Sequence, residues 1–221
     1  MPKSNARLGF TLVELLVVIT IIAVLVAISF PIYRMALAHA NCTGCASHMR
    51  TLGLAFVSYA NDNNSQLPGR AEGAGVNKWP TLLLDYVQNP EVYADPGDPV
   101  ASAIPTTQMV SNTANNSSFF FNGFNDIGAY TNPNITVGMA NIATVGTPVL
   151  LLGQKISGNT QFYMDFVEGN QDDILDKTTY FGGSNYAFAD GSVQFMRPSQ
   201  YSDTMWLVNT SYAIPPVPPG H

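Results

Sequence analysis

The chain has 221 residues, of which 46% are hydrophobic and only 11% charged, whereas ~25% charged is usual for a soluble domain. That length accommodates one ordinary domain plus an appendage, with a surface that Asn, Ser, Thr, Gln and Gly must supply. Residues 1–63 carry Lys3, Arg7, Arg34 and Arg50 against Glu14 and Asp62, a balance of +2, and residues 64–221 carry five Lys/Arg against thirteen Asp/Glu, a balance of −8; so acidic a segment repels phosphate backbones, and no nucleic-acid partner is expected.

The chain opens MPKSNARLGFTLVELLVVITIIAVLVAISFPIYR, and no charge occurs from Leu15 to Phe30. Counted from Phe10, the apolar run has twenty-one residues, about 31 Å as a helix, enough to cross the hydrocarbon core. Val, Ile and Leu dominate it, yet in lipid the backbone must bond internally, so the run is helical. Lys3 and Arg7 precede it without acidic neighbours, which puts that end in the cytoplasm and the rest of the chain outside. A cleaved signal peptide fits poorly, because the run exceeds the ~7–15 residues of an h-region and no A-x-A-like site ends it. Hydrophobicity alone leaves a plain uncleaved signal anchor open. Glu14 separates the readings: a carboxylate at this depth costs a few kcal/mol and needs a partner or a function. Its bland alternative is snorkelling at the membrane boundary.

Gly9-Phe10-Thr11-Leu12-Val13-Glu14-Leu15-Leu16 resembles the type IV prepilin or pseudopilin N-terminus. The resemblance implies that a prepilin peptidase cuts between Gly9 and Phe10 and N-methylates Phe10. The helix would be retained, with Glu14 pairing with the positive N-terminus of a neighbouring subunit and setting register in a filament. One buried opposite-charge pair can fix register among apolar helices better than non-directional packing. The partners implied are prepilin peptidase, other pilin or pseudopilin subunits, an inner-membrane assembly platform, and membrane lipid before assembly. The implied location is the inner membrane, single-pass with the N-terminus cytoplasmic, then a periplasmic or surface filament.

Pro31 falls where many pilins carry a kinking proline, and it removes one helix hydrogen bond, so a bend or a short melted segment is expected there. Beyond it Ile32, Met35, His39, Cys42, Ala46, Met49, Leu52, Phe56 and Tyr59 recur at steps of three and four, one helical stripe. The helix should run to about Ala60 and stop at Asn61-Asp62-Asn63-Asn64. Gly44 and Gly53 weaken it locally and allow close approach of neighbouring segments. Cys42-Thr-Gly-Cys45 is a CxxC. With His39 and His48 a four-ligand zinc site can be written down, but on one helix their directions diverge and no second CxxC follows. A thioredoxin-like role lacks its βαβ context. Two small buried residues, or a local oxidised pair, is the favoured reading.

The stretch from Cys45 to Asp62 is similar to the C-x-x-N-L-K-Q-L-G-L-A-x-x-x-Y-x-x-D pattern of a large pseudopilin-like family with a planctomycete-type head. Trp79-Pro-Thr-Leu-Leu-Leu-Asp-Tyr-Val continues the likeness. Where that family has Cys-Pro, this chain has Asp95-Pro96. If the family's two cysteines bond, that bridge is absent, with Cys42 a local substitute partner for Cys45. The family's C-terminal signature, His, nine residues, Asp-Gly, falls on Tyr180, Asp190 and Gly191, so its His is lost. Either a metal or processing role went with it, or, the simpler view, Tyr180 fills the same space and the hairpin closes a sheet.

In the head, Trp79–Val87 reads as a short amphipathic helix and Asp95–Pro105 as a Pro-rich loop. Strands are expected at Phe119–Phe121, Val149–Gly153, Gln161–Phe166, Asn185–Ala189 and Ser192–Met196, with Asp190-Gly191 as a hairpin turn. Asp165, Glu168, Asn170, Asp172, Asp173 and Asp176 crowd one segment. Either it is a solvated acidic loop, the favoured reading, or a Ca²⁺ site in which Asp165, Glu168, Asp172 and Asp173 are candidates, although the spacing is not that of an EF-hand. No other cofactor is implied. The tail from Tyr212 to His221 is Pro-rich and reads as extended.

The expected fold is α+β and pilin-like: a long N-terminal α-helix, transmembrane in its first half, packed on a globular head with an antiparallel sheet. The expected divisions are a leader at 1–9, a transmembrane or filament-core helix at 10–30, its amphipathic continuation at 31–62 and an extracytoplasmic head at 63–221. The expected function is that of a structural pilin or pseudopilin subunit of a type II secretion or type IV pilus-like filament. No G-x-S-x-G, P-loop or H-E-x-x-H occurs, and no enzymatic activity is expected. The alternative is a membrane-tethered extracytoplasmic binding module for a glycan or a secreted protein, using exposed aromatics near Phe119–Phe124 and Tyr130.

Overall fold

The structure is a computed structural model and describes residues 11–70, 77–111, 114–124, 137–143, 145–146, 148–164 and 171–209, without the side chains of Thr106, Gln171 and Asp172. It divides into two compact units, Met1–Ala40 and Asn41–His221.

Helix α1 spans Leu12–Asp62, with Pro31 inside it. No melted turn forms at Pro31; losing one hydrogen bond leaves the rest of the ladder intact. In the first unit the α1 residues are long and apolar enough to cross a membrane. All described side chains from Thr11 to Leu37 are exposed, from Leu12 at 79% to Leu37 at 48%. The uncharged run holds two hydroxyls, Thr20 and Ser29, and Thr20 donates to the Val17 carbonyl at 2.8 Å. That hydroxyl is thereby satisfied within its own helix, as lipid requires.

In the second unit α1 buries one stripe, formed by Cys45, Met49, Leu52, Gly53, Ala55, Phe56 and Ala60. Of the expected stripe Met49, Leu52 and Phe56 are buried, Cys42, Ala46 and Tyr59 are half-buried, and Ile32, Met35 and His39 are exposed, so the buried face begins only at Cys45 and takes in Ala55 and Ala60 as well. The helix stops at Asp62. Ser65 N–H donates to the Ala60 carbonyl at 2.7 Å, and Asn64 and Ser65 adopt φ of 55° and 60°, the left-handed turn that commonly closes helices.

The stripe packs on a five-stranded sheet of order β3-β1-β2-β4-β5. Its strands are β1 Phe119–Asn122, β2 Leu150–Gln154, β3 Tyr163–Met164, β4 Ser184–Phe188 and β5 Val193–Met196. Three pairings are antiparallel, while β3 joins β1 in parallel. The sheet is therefore mixed at one edge rather than antiparallel throughout. Phe119, Phe121, Leu151, Leu152 and Ala187 share the core with α1, and Phe120, Leu150, Met164, Tyr186 and Phe188 form a second core with Ile174, Leu175, Trp206 and Leu207. A register irregularity between Leu150 and Leu152 lets two consecutive leucines face the first core. Burial on both faces explains why β1 and β2 read as unbroken apolar runs, and it overturns the expectation of exposed aromatics there: Phe119, Phe120, Phe121 and Phe124 are buried, and Tyr130 lies outside the described residues.

Aromatic rings fill the first core: Phe56 stacks on Phe121 with centroids 4.5 Å apart, and Trp79 lies 5.7 Å from Phe56. The segment expected as one helix from Trp79 splits into α2 (Trp79–Leu82) and a 3₁₀ turn at Leu84–Tyr86. Pro80 supports the start of α2, but Leu83 already caps it. The remaining short helices are α3 (Thr106–Met109), α4 (Met139–Ala143) and α5 (Gln171–Ile174).

Candidate functional site

Two places concentrate the residues singled out in the sequence: the start of α1 and a buried polar junction in the head. Gly9 and Phe10 lie outside the described residues. Thr11 precedes α1, and Glu14 sits in its first turn. The Glu14 carboxylate accepts from Thr11 N–H at 2.8 Å and from the Thr11 hydroxyl at 2.7 Å, while Glu14 N–H donates to Thr11 Oγ1 at 3.2 Å. That is a capping box, with two orphan helix donors satisfied reciprocally. Its sequence signature, Thr-x-x-Glu before an apolar run, is present at Thr11–Glu14 and is hidden by attention to charge alone.

The second place brings together residues far apart in sequence. Asp95 is 1% exposed. Its carboxylate accepts from the Tyr180 hydroxyl, from Gly97 N–H at 2.9 Å and from Gln154 Nε2 at 2.5 Å. Gln154 Oε1 accepts from Asn185 N–H at 2.9 Å, and Asn185 Nδ2 donates to the Cys42 carbonyl at 2.9 Å. The junction thus links α1 to β2, β4 and the loop after Tyr93. Gly97 has to be glycine there, since a Cβ would run into the Tyr180 ring.

Burial raises the Asp95 carboxyl above its ordinary range, with Asp98 adding to the rise, although the Tyr180, Gly97 and Gln154 donors oppose it. Burial, and then the Asp95 carboxylate, pushes the Cys45 thiol well up, and burial raises Cys42 as well. Both cysteines are free. Of the two readings left open for them, the local oxidised pair is therefore not formed; Cys45 belongs to the packed stripe and Cys42, half-buried, packs against the same core, and with raised thiols both are poor nucleophiles and poor metal ligands. His48 is tied by Nδ1 to the Ala94 carbonyl at 2.7 Å, and among the described residues no three His, Cys, Asp or Glu gather as a metal site. Of the calcium candidates, Asp165 and Glu168 lie outside the described residues, as does the Asp172 side chain, and Asp173 is exposed.

The structure brings Tyr180 to Asp95 but does not bring it to Asp190 and Gly191. Those two close the β4–β5 hairpin at the other end of β4. Gly191, at φ 84°, donates from N–H to the Phe188 carbonyl at 3.0 Å, and Asp190 Oδ1 accepts from Ser192 N–H at 2.8 Å. Turn geometry alone accounts for that dipeptide. Tyr180 itself begins a tight turn to Gly183 in which Phe181 and Gly182 have φ of 48° and 74°.

Lys155 was not singled out by sequence. It is 7% exposed, and its Nζ donates to the carbonyls of Asn115 and Asn159 at 2.6 Å each. Burial brings its ammonium down to about 7, against a partial offset from Asp98. No local motif marks a lysine whose partners are main-chain carbonyls, one of them 40 residues away at Asn115.

Residues 4–30 match the family described as the prokaryotic N-terminal methylation motif. A fimbrial protein of Neisseria meningitidis serogroup B is 31% identical over 113 residues, covering 51% of this chain and 61% of the relative. The chain therefore spans less than two thirds of that curated relative's length. No solved structure matches. The N-terminal segment is type IV prepilin-like, and the α+β architecture with its long apolar helix is pilin-like.

Proposed function

We propose that this chain is a structural pilin or pseudopilin subunit. Prepilin peptidase cuts between Gly9 and Phe10 and N-methylates Phe10. The segment 10–30 is held in the inner membrane with its N-terminus cytoplasmic, and then packs with the same segment of other subunits in a filament of the type II secretion or type IV pilus kind, delivered by an inner-membrane assembly platform. The segment 31–62 continues that helix and carries the head at 63–221 outside the cytoplasm. The observation that carries this reading is the coincidence of the methylation motif at residues 4–30 with α1 side chains that are exposed from Leu12 to Leu37. So long an apolar face needs lipid or other helices to cover it. The fimbrial name of the Neisseria relative points the same way.

Glu14 is the proposed register residue. In the filament its carboxylate meets the N-terminal amine of a neighbour, and Thr11 holds it in place for that contact. Pro31 is the proposed point of bending. Mass spectrometry of the protein from membranes checks the processing step: the mature chain should begin at an N-methylated Phe10, and Gly9→Ala should leave the full leader attached. An intact Met1 start in the natural protein would remove the prepilin reading.

A further inference from the structure

Lys155 closes one end of a cavity of about 130 Å³. Its Nζ spends two of its positions on the carbonyls of Asn115 and Asn159, both of which line that cavity. The third position meets no hydrogen-bond acceptor among the described residues. A buried ammonium without an anionic partner is costly, so the site favours either the neutral amine or an arriving anion.

Among the described residues no surrounding carboxylate accepts from Nζ, whose acceptors are the Asn115 and Asn159 carbonyls. Asp98 Oδ1 accepts from Val100 N–H at 3.0 Å, Ala101 N–H at 3.3 Å and the Ser157 hydroxyl at 2.6 Å, and Oδ2 accepts from the Ser118 hydroxyl at 2.9 Å. Asp95 and Asp176 line the neighbouring cleft together with Lys155. Asp95 is held by Tyr180, Gln154 and Gly97, and Asp176 Oδ1 accepts from Thr178 N–H at 2.8 Å. Of these, Asp98 opposes part of the burial cost without accepting a hydrogen bond from Nζ. Asp98 and the polar Asn116, Ser117 and Thr160 also line the cavity, its apolar surface is Val100, Ala101 and Ile104, and Lys155 is its one cationic residue.

We propose that this cavity binds a short-chain alkyl carboxylate, with one carboxylate oxygen accepting from the Lys155 Nζ and the alkyl chain lying on Val100, Ala101 and Ile104. The volume admits only a handful of non-hydrogen atoms, so acetate to butyrate is the range. Apolar burial should add about fourfold in affinity per methylene until the cavity is full. Only the ammonium form pairs with the ligand. With the free amine titrating near 7, affinity should be level below that pH and fall about tenfold per unit above it.

Isothermal titration of the full chain in non-ionic detergent micelles tests this with acetate, propionate, butyrate and the neutral isostere butyramide. Butyrate should bind better than acetate and butyramide should not bind. At pH 8 binding should take up close to one proton, read from two buffers of different ionisation enthalpy. Lys155→Met should abolish binding and Lys155→Arg should weaken it. The pH profile and the proton uptake are read on the natural sequence, so a variant that fails to fold leaves the test standing. Equal binding of butyrate and butyramide, an affinity flat from pH 6 to 9, or retained binding in a folded Lys155→Met protein would each overturn the proposal.

Discussion

The two parts of α1 are both rich in apolar side chains and handle them in opposite ways. From Leu12 to Leu37 every described apolar side chain is exposed, whereas Cys45, Met49, Leu52 and Phe56 are wholly buried. The difference lies in pattern. In the first part apolar residues run all round the helix, which suits a surrounding of lipid or other helices. In the second they recur at steps of three and four, with Arg50, Thr51 and Ser58 on the exposed side, which suits one partner surface on the same chain. The first part needs other molecules to be stable in water, and the head supplies the partner of the second. Changes in the first part should therefore alter assembly and leave the head's stability alone, and changes in the second should do the reverse.

The sharpest way to break that comparison is at Glu14, where two roles overlap. Glu14→Ala removes both the capping box and the charge; it should leave membrane insertion intact and block incorporation into filaments. Glu14→Gln keeps an amide oxygen able to accept from Thr11 N–H but carries no charge. If the charge sets register, Gln should fail as completely as Ala in a co-sedimentation assay of sheared filaments. Normal assembly of the Gln variant would reduce Glu14 to a helix cap, worth only about 1 kcal/mol. In both variants the head should melt as it does in the natural protein, since among the described residues Glu14 bonds only to Thr11.

The next effect belongs to the head alone. Tyr180→Phe takes one donor from a buried carboxylate, at a cost of about 1–3 kcal/mol. Its pH dependence follows from the raised Asp95 carboxyl. The folded chain holds that proton to a higher pH than the unfolded chain does, so stability falls as pH rises through the interval between the two values. The Tyr180 hydroxyl opposes the rise, and removing it widens the interval. The variant should lose more stability at pH 7 than at pH 4, measured by denaturant unfolding of the full chain in micelles. An equal loss at both values would mean that Asp95 is not the group that Tyr180 supports.

How much of this was legible depended on range. The start of α1 is a local pattern, so its helix, its apolar face and Glu14 could be read directly, although the Thr11–Glu14 cap was passed over. Strands β1 and β2 were legible because double-sided burial demands unbroken apolar runs such as Phe119–Phe121 and Val149–Leu152; β4 was legible from the alternation at Asn185–Ala189, and β5, largely exposed, as the Ser192–Met196 stretch after the turn. The Asp190-Gly191 turn was legible because a hairpin bulge needs φ > 0 at Gly191. The junction was not legible as one site. Cys42, Cys45, Asp95 and Tyr180 were each noticed, but their meeting depends on pairings spanning 85 residues between Asp95 and Tyr180. Lys155 was invisible for the same reason, its partners being carbonyls that any residue could offer. Strand β3 was legible as part of Gln161–Phe166, but its parallel pairing with β1 was not, because pairing direction leaves no trace in local alternation.

The smallest effect tests whether the second part of α1 is wholly engaged with the head. Gly44 and Gly53 both lie in that part and were expected to permit close approach. Gly44 does: a Cβ there would lie 3.1 Å from Pro96 Cγ, whereas at Gly53 nothing lies within 4 Å of it. Gly53→Ala should therefore add helix propensity without a clash and stabilise the head by about 0.5–1 kcal/mol. Gly44→Ala should gain less or lose, because Pro96 must shift. A thermal melt of each variant in micelles separates the two sites. If Gly53→Ala raises the melting temperature yet lowers filament yield, the open space beside Gly53 is filled by a neighbouring subunit. The division between an assembling part and a head-bound part would then have to move along α1 to include that face. If yield is unchanged, Gly53 is a helix defect without an assembly role, and the division stands.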